Sequence, residues 1–297
     1  MPPPFRLLAI TPPHGPVPAD IVKSWPGAGP GLALLLREPG RTAHELLAAD
    51  GRLGPLRRAC VAAGIPVLLS VGRDDLDLAI PPDIAGLHLR GDPDLATLTR
   101  ARLIRPVPSD SPGPISSDPR TSLVAASSDR SPFEPIPTHR ASSPRTSLVA
   151  ASSDRSPFET IPARRASRPR PSIAALSAPW LGRSCHGAPQ PGHALVDYTL
   201  FAPIFAPTTG QPSRPLGSKL PAGLDALRTW TAAPGACVFA LGGVGPVTAA
   251  ACLAAGAHGL AGIGVFFGEP GQVAQDVAAL REIVAASDRH VEPVSPR

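Results

Sequence analysis

A parallel (β/α)8 barrel is the fold class that this sequence predicts, and three observations carry the prediction. Eight short, nearly continuous apolar runs recur along the chain, and stretches with helical periodicity separate them. Glycines follow the last two runs, where barrels commonly hold phosphate. An open doubly wound sheet would usually show six strands and a phosphate loop after the first. No GxGxxG or GxxxxGK[ST] stands in that context.

The first four runs are RLLAIT (Arg6 to Thr11), GLALLLRE (Gly31 to Glu38), PVLLSVG (Pro66 to Gly72) and AGLHLRG (Ala85 to Gly91). Runs this uniformly apolar suit strands buried on both faces. TAHELLAADGRLGPLRRACVAAG lies between the second and third runs with helical spacing, and DLATLTRARLI follows the fourth. The second half supplies WLGRSCHG, YTLFAPIF, CVFALGGV and GLAGIGVFFG as strands, with PVTAAACLAAG and QVAQDVAALREIVAAS as helices.

Composition fits one such domain. The chain has 297 residues, 43% of them hydrophobic, enough for a sizeable core. Only 4% are aromatic, which predicts a core of Ala, Leu, Val and Ile. Cys60, Cys185, Cys237 and Cys252 show no CxxC spacing, and no apolar segment flanked by basic residues opens the chain. The expectation is a reduced, cytoplasmic protein with free thiols. No apolar run reaches the ~18 residues that a membrane helix needs, so no membrane partner is expected.

One segment breaks the pattern. PRTSLVAASSDRSPFEPIP (Pro119 to Pro137) recurs as PRTSLVAASSDRSPFETIP (Pro144 to Pro162), with Pro135 replaced by Thr160 as the only change. Each copy has a single four-residue apolar run among Ser, Pro and Arg, too little to offset ordering entropy. The reading is a barrel domain at 1–104 and 177–297, with a disordered, tandemly repeated insertion at 105–176 between the fourth helix and the fifth strand. Ten Arg stand against six acidic residues there, so most of the formal net charge of +5 sits in the insertion. No stacking aromatics interleave the arginines beyond Phe133 and Phe158, so a nucleic-acid partner is not expected.

In a barrel the chemistry stands at the C-terminal strand ends. LGGVGP and GIGVFFG put glycine N–H groups beside helix starts, so Gly243, Ile263 and Gly264 are candidates for phosphate binding. Arg37 is the only cation in its strand and can fork a carboxylate or phosphate; an ion pair with Glu38 or Asp92 is the alternative. His88 alternates with Leu87 and Leu89, as a hydrogen-bonded core histidine would. In GRSCH, alternation directs Ser184 and His186 to the axis and Cys185 to the helices, which removes Cys185 as nucleophile and argues against a zinc site. Ser184 and His186 could pair as nucleophile and base, but no acid is placed to orient the ring. A histidine working alone suits moving a proton on and off a bound substrate.

These strand ends, from LLAIT and LLLREPG through GRDDLDLA, GLHLRGD, GRSCH, YTLFAPIFAPT and ALGGV to AGIGVFFG, resemble thiamine phosphate synthase and its relative TenI, a thiazole tautomerase. The resemblance covers the chain outside the insertion. Synthases carry a Gln-x-Arg-Glu-Lys pattern on the second strand and an Asn-Asp pair after the third, which hold a pyrophosphate and its magnesium. Here the Gln position is Leu35, the Lys position Pro39 and the Asn-Asp positions Val71 and Gly72, while Arg37 and Asp92 remain. GRSCH and VGRDDLDLA look more like the TenI version. The resemblance then implies His186 as general acid and base, with Arg37, Ser184, Thr208 and Thr209 binding substrate and Gly243, Ile263 and Gly264 receiving its phosphate.

Three functions follow as expectations. The first is a tautomerase with no cofactor or metal, acting on a small-molecule carboxythiazole phosphate in thiamine biosynthesis. The second is a synthase joining a pyrimidine pyrophosphate to a thiazole phosphate, for which alone magnesium would be needed and Asp92 would be a metal ligand. The third is a non-catalytic ligand-binding or scaffold barrel. The sequence is compatible with a homo-oligomer and does not specify one.

Overall fold

A computed structural model describes residues 2–104, 179–189, 192–206 and 220–290. Eight parallel strands close into a barrel in chain order: β1 Leu7–Ile10, β2 Leu32–Leu36, β3 Val67–Val71, β4 Gly86–Leu89, β5 Trp180–Cys185, β6 Tyr198–Phe201, β7 Val238–Ala240 and β8 Gly259–Gly262. The ladder closes where β1 pairs with β8, Leu7 opposite Leu260. The predicted (β/α)8 barrel is the observed fold. The insertion expected at 105–176, with its repeats, lies outside the described residues.

The helices are α1 Ala43–Leu47, α2 Gly54–Ala62, α3 Leu95–Arg102, α4 Gly223–Thr231, α5 Pro246–Ala254 and α6 Pro270–His290. The stretch from Thr42 to Gly64, expected as helical, forms two helices, α1 and α2. Thr42 and Glu45 cap α1 reciprocally, and Pro55 opens α2, where its missing N–H costs nothing. After β1, β3 and β5 the described residues of the connections form short 3-10 turns, at Ala19–Ser24, Arg73–Asp75 and His193–Leu195. GLAGIGVFFG is strand only as far as Gly262; the chain then turns, with the Phe266 N–H donating to the Ile263 carbonyl at 3.0 Å.

Strand alternation sorts side chains into two cores. Leu8, Ile10, Ala33, Leu35, Leu68, Leu200 and Ala261 fill the barrel interior. Their neighbours Leu7, Leu34, Leu69, Leu87, Cys185 and Phe201 pack outward with residues of the helices. The aliphatic core expected from composition is corrected at the barrel floor, where four aromatic side chains meet. The Phe5 ring lies 5.4 Å from Trp180, 5.9 Å from Tyr198 and 5.5 Å from Phe239. Glycines opposite make the room: a Cβ at Gly182 would stand 2.1 Å from the Tyr198 ring, and one at Gly259 2.4 Å from Phe239. Each fully buried ring contributes about 2–3 kcal/mol of transfer free energy, so Phe5, Tyr198 and Phe239, with the partly buried Trp180 beside them, plug the floor of a barrel whose interior is otherwise aliphatic.

All four cysteines are free. Among the described residues no helix is long and apolar enough to cross a membrane.

Candidate active site at the barrel mouth

Carrying the inward register one step past the strands gives the rim of the site. Beyond Leu35, Ser70, His88, Ser184, Leu241 and Ala261 come Arg37, Gly72, Arg90, His186, Gly243 and Ile263. A rim of two arginines, a histidine and backbone amides is chemically able to receive an anionic ligand.

His186 directly follows β5 and is half-buried. Its Nδ1 lies 2.7 Å from the carbonyl oxygen of Ala202, just past β6. A carbonyl only accepts, so Nδ1 carries the proton and Nε2 holds the lone pair of the neutral ring. No described residue hydrogen-bonds to Nε2. The next residue is anchored as well: the Trp230 indole N–H of α4 donates to the Gly187 carbonyl at 2.7 Å. The orienting acid absent from the sequence is therefore replaced by a backbone carbonyl.

Ser184 does not pair with His186. Its hydroxyl lies 2.8 Å from His88 Nε2, and His88 Nδ1 lies 3.2 Å from the Tyr198 hydroxyl. The His88 and Tyr198 rings stack with centroids 5.7 Å apart. His88 is 1% exposed, and burial, with the positive field of Arg37 second, pulls its pKa down to about 3. It is a neutral core histidine that fixes Ser184 from below. Cys185 points away, into the layer beneath the helices, and burial pushes its thiol up to about 11. A thiol so hard to ionise is no nucleophile.

Arg37 forms neither of the ion pairs that its sequence neighbours allow. Glu38 pairs with Arg52 at 3.3 Å and, more loosely, with Arg41, and Asp92 is exposed on the loop after β4. The Arg37 backbone is latched at both ends by Thr11, whose hydroxyl accepts its N–H at 2.8 Å and donates to its carbonyl. Although the side chain reaches solvent, enough protein surrounds the guanidinium that burial lowers its pKa, and Arg90 lowers it further by like-charge repulsion. Among the described residues it has no counterion, and an anion is what such a group recruits.

Arg90 is held more firmly. It donates to Asp75 Oδ2 at 2.7 Å and to the Arg41 carbonyl at 2.8 Å. Asp75 in turn accepts the N–H of Gly72 at 2.7 Å and of Ala43 at 3.2 Å. This link joins the ends of β3 and β4 to the start of α1. Neither Arg90 nor Asp75 was singled out from the sequence, where both look like surface charges; the signal available was that Arg90 continues the inward alternation of Gly86 and His88.

Gly242 and Gly243 both adopt positive φ, at 94° and 63°. Steric need explains them as well as ligand binding does, because a Cβ on Gly243 would lie 2.6 Å from the Ala206 carbonyl. The N–H groups of Gly243, Ile263 and Gly264 nonetheless make no hydrogen bond among the described residues. Thr208 and Thr209 lie outside those residues. Among the described residues no three His, Cys, Asp or Glu side chains converge as metal ligands would.

No family model and no curated protein sequence matches this chain. Solved structures do. The chain is similar to a thiamine phosphate pyrophosphorylase from Pyrococcus furiosus, 16% identical, over 95% of this chain and 96% of that one, with a TM-score of 0.51. It is also similar to a thiamine phosphate pyrophosphorylase from Bacteroides thetaiotaomicron, 14% identical, over 95% of this chain and 98% of that one, with a TM-score of 0.45. At 16% identity the first likeness shows a shared barrel architecture; what the rim residues do has to be argued from the rim.

Proposed function

We propose that this barrel is an enzyme of the thiamine phosphate synthase/TenI family, and within it a tautomerase that isomerises a carboxythiazole phosphate. The observation that carries the reading is the single histidine on the rim with Nδ1 bound to a backbone carbonyl. It presents one basic nitrogen, Nε2, to a ligand seated in the mouth. Shifting a double bond needs no more than that: Nε2 takes a proton from one carbon and returns it at the far end of the conjugated system. One C–H bond breaks, one forms, and no electrons leave the substrate. The imidazolium formed in between is stabilised by the Ala202 carbonyl on its other nitrogen.

The remaining residues bind. The free N–H groups of Gly243, Ile263 and Gly264 take the phosphate, Arg37 takes a second anionic group, and the Ser184 hydroxyl, with its position set by His88, hydrogen-bonds the heterocycle. Thr208 and Thr209, outside the described residues, stay in the proposal as substrate-binding residues. The positions at which the resemblance puts a synthase's magnesium and pyrophosphate ligands hold Leu35, Pro39, Val71 and Gly72. None has a side-chain oxygen, and Leu35 and Val71 are fully buried in apolar surroundings. Magnesium, which demands oxygen ligands, does not fit that set, so Asp92 has no partner ligands there and no step runs through a metal.

The assay follows the proton by NMR in D2O. Wild type should convert the unstable tautomer to the aromatic carboxythiazole phosphate. His186→Ala should bind product normally and turn over 10²–10⁴-fold more slowly; an unchanged rate would rule out the role given to His186. Supplying pyrimidine pyrophosphate, thiazole phosphate and magnesium should yield no appreciable thiamine phosphate, and a good yield would establish the synthase reading instead.

A further inference from the structure

The rim has a second cation that the proposed reaction leaves without a task. Arg37 and Arg90 extend the inward registers of β2 and β4, with Gly72 between them at the end of β3. Bringing two guanidinium groups together is unfavourable unless something negative joins them. Asp75 balances one of the two, leaving a net charge of +1 across Arg37, Arg90 and Asp75. The geometry is fixed from outside: both Asp75 oxygens are tied to backbone N–H groups, and Arg90 is tied to Asp75 and to the Arg41 carbonyl. Gly72 leaves room for it, since a Cβ there would lie 3.1 Å from Arg90 Nη2.

A separate observation points to a ligand. Ser70 is the inward residue directly below Gly72, opposite His88 in the ladder. Its side chain is fully buried, yet its hydroxyl has no hydrogen-bond partner. Buried hydroxyls are nearly always paired, and an anion seated between the two guanidinium groups is the acceptor that this one lacks.

We propose that Arg37, Arg90 and Ser70 form a carboxylate subsite on the β2 to β4 side of the mouth, with Asp75 as the residue that positions Arg90. A carboxylate matches the net charge of +1 and the planar fork of a guanidinium, whereas a phosphate dianion is better met by the amides across the barrel. A fixed arginine thereby stands beside Gly72, where a metal-dependent relative would place a cation's ligand. The inference rests on the tautomerase reading, since it assigns that substrate's carboxylate.

Isothermal titration with two probes tests it: carboxythiazole phosphate, and the same thiazole phosphate without the carboxylate. Wild type should prefer the carboxylated probe by at least tenfold. Arg90→Leu should abolish the preference and leave the affinity for the other probe unchanged; Arg90→Lys should keep part of it, and Ser70→Ala should lose a few-fold. Equal affinities in wild type would overturn the subsite, and so would an Arg90→Leu protein that weakens on both probes alike or keeps the preference. If Arg90→Leu does not fold, the Arg90→Lys and Ser70→Ala proteins decide by the same criterion. A preference without isomerisation would keep the subsite and sink the catalytic reading, while binding of neither probe would overturn both.

Discussion

His88 shapes the rim from beneath, through its hydrogen bond to Ser184. Buried against Tyr198 and held between two hydroxyls, it stays neutral, with its pKa lowered to about 3. The unfolded chain would protonate it near pH 6.5. A group whose folded pKa is depressed below its unfolded value binds its proton in the unfolded state first, so stability is present above pH 6.5 and is lost as pH falls toward 3. Between pH 7 and pH 5 this loss amounts to about 2 kcal/mol. Urea unfolding at the two pH values should show at least that difference in wild type and one smaller by about 2 kcal/mol in His88→Gln, where His258, whose pKa burial also lowers, still contributes; equal pH differences in the two proteins would mean that His88 is not held neutral. The interior placement of His88 was legible in the sequence, because alternation with Leu87 and Leu89 decides which face it takes. Its partners were not. Ser184 and Tyr198 lie 96 and 110 residues away, and only the closure of β4 on β5 and β6 brings them to it. The Ala202 carbonyl that orients His186 was hidden for a further reason: every residue has a carbonyl, so no residue type marks this one.

Among the elements, β5 carries the heaviest constraint, since the strand and the residue that follows it supply a floor glycine, a bound serine and the rim histidine in alternate positions. Gly182 exists for the Tyr198 ring. A Cβ there would approach three of its carbons to between 2.1 and 2.5 Å, and the ring, buried on all sides, has nowhere to move. Gly182→Ala should therefore destabilise the barrel by about 3 kcal/mol, the upper range for overpacking, and should pull Tyr198 from His88. A double-mutant cycle with Tyr198→Ala separates this clash from a backbone effect: the alanine at 182 should cost much less once the ring is gone. An equal cost in both backgrounds would place the penalty in the strand backbone. The sequence shows the glycine but not its reason, because small residues also end and weaken strands. Strand existence and order were legible throughout from uniformly apolar runs. Strand ends were not, and GLAGIGVFFG ran long because Ile263 to Phe267 are apolar residues that turn instead of extending.

On the scale of the whole molecule, the barrel closes without any residue of the repeated segment. α3 ends at Arg102, β5 begins at Trp180, and the two strands that flank the connection are direct neighbours, Gly86 opposite Trp180. A connection from helix to strand opens on the N-terminal face, whereas Arg37, Arg90, His186 and Gly243 all stand at the C-terminal ends. Loops of this class usually need only two to six residues. Removing residues 106–174 and joining the ends with a short linker should therefore leave the ladder, the floor and the rim intact. Loop-closure entropy gives the sign of the change in stability: a roughly tenfold shorter connection lowers the cost of closing it by about 2 kcal/mol. The shortened protein should unfold cooperatively at the same or a higher urea concentration. In the isomerisation assay that tests the proposed function, its kcat and KM should stay within about twofold of the full chain. Loss of folding would show that the barrel depends on the segment, and loss of activity in a folded protein would show that the site depends on it.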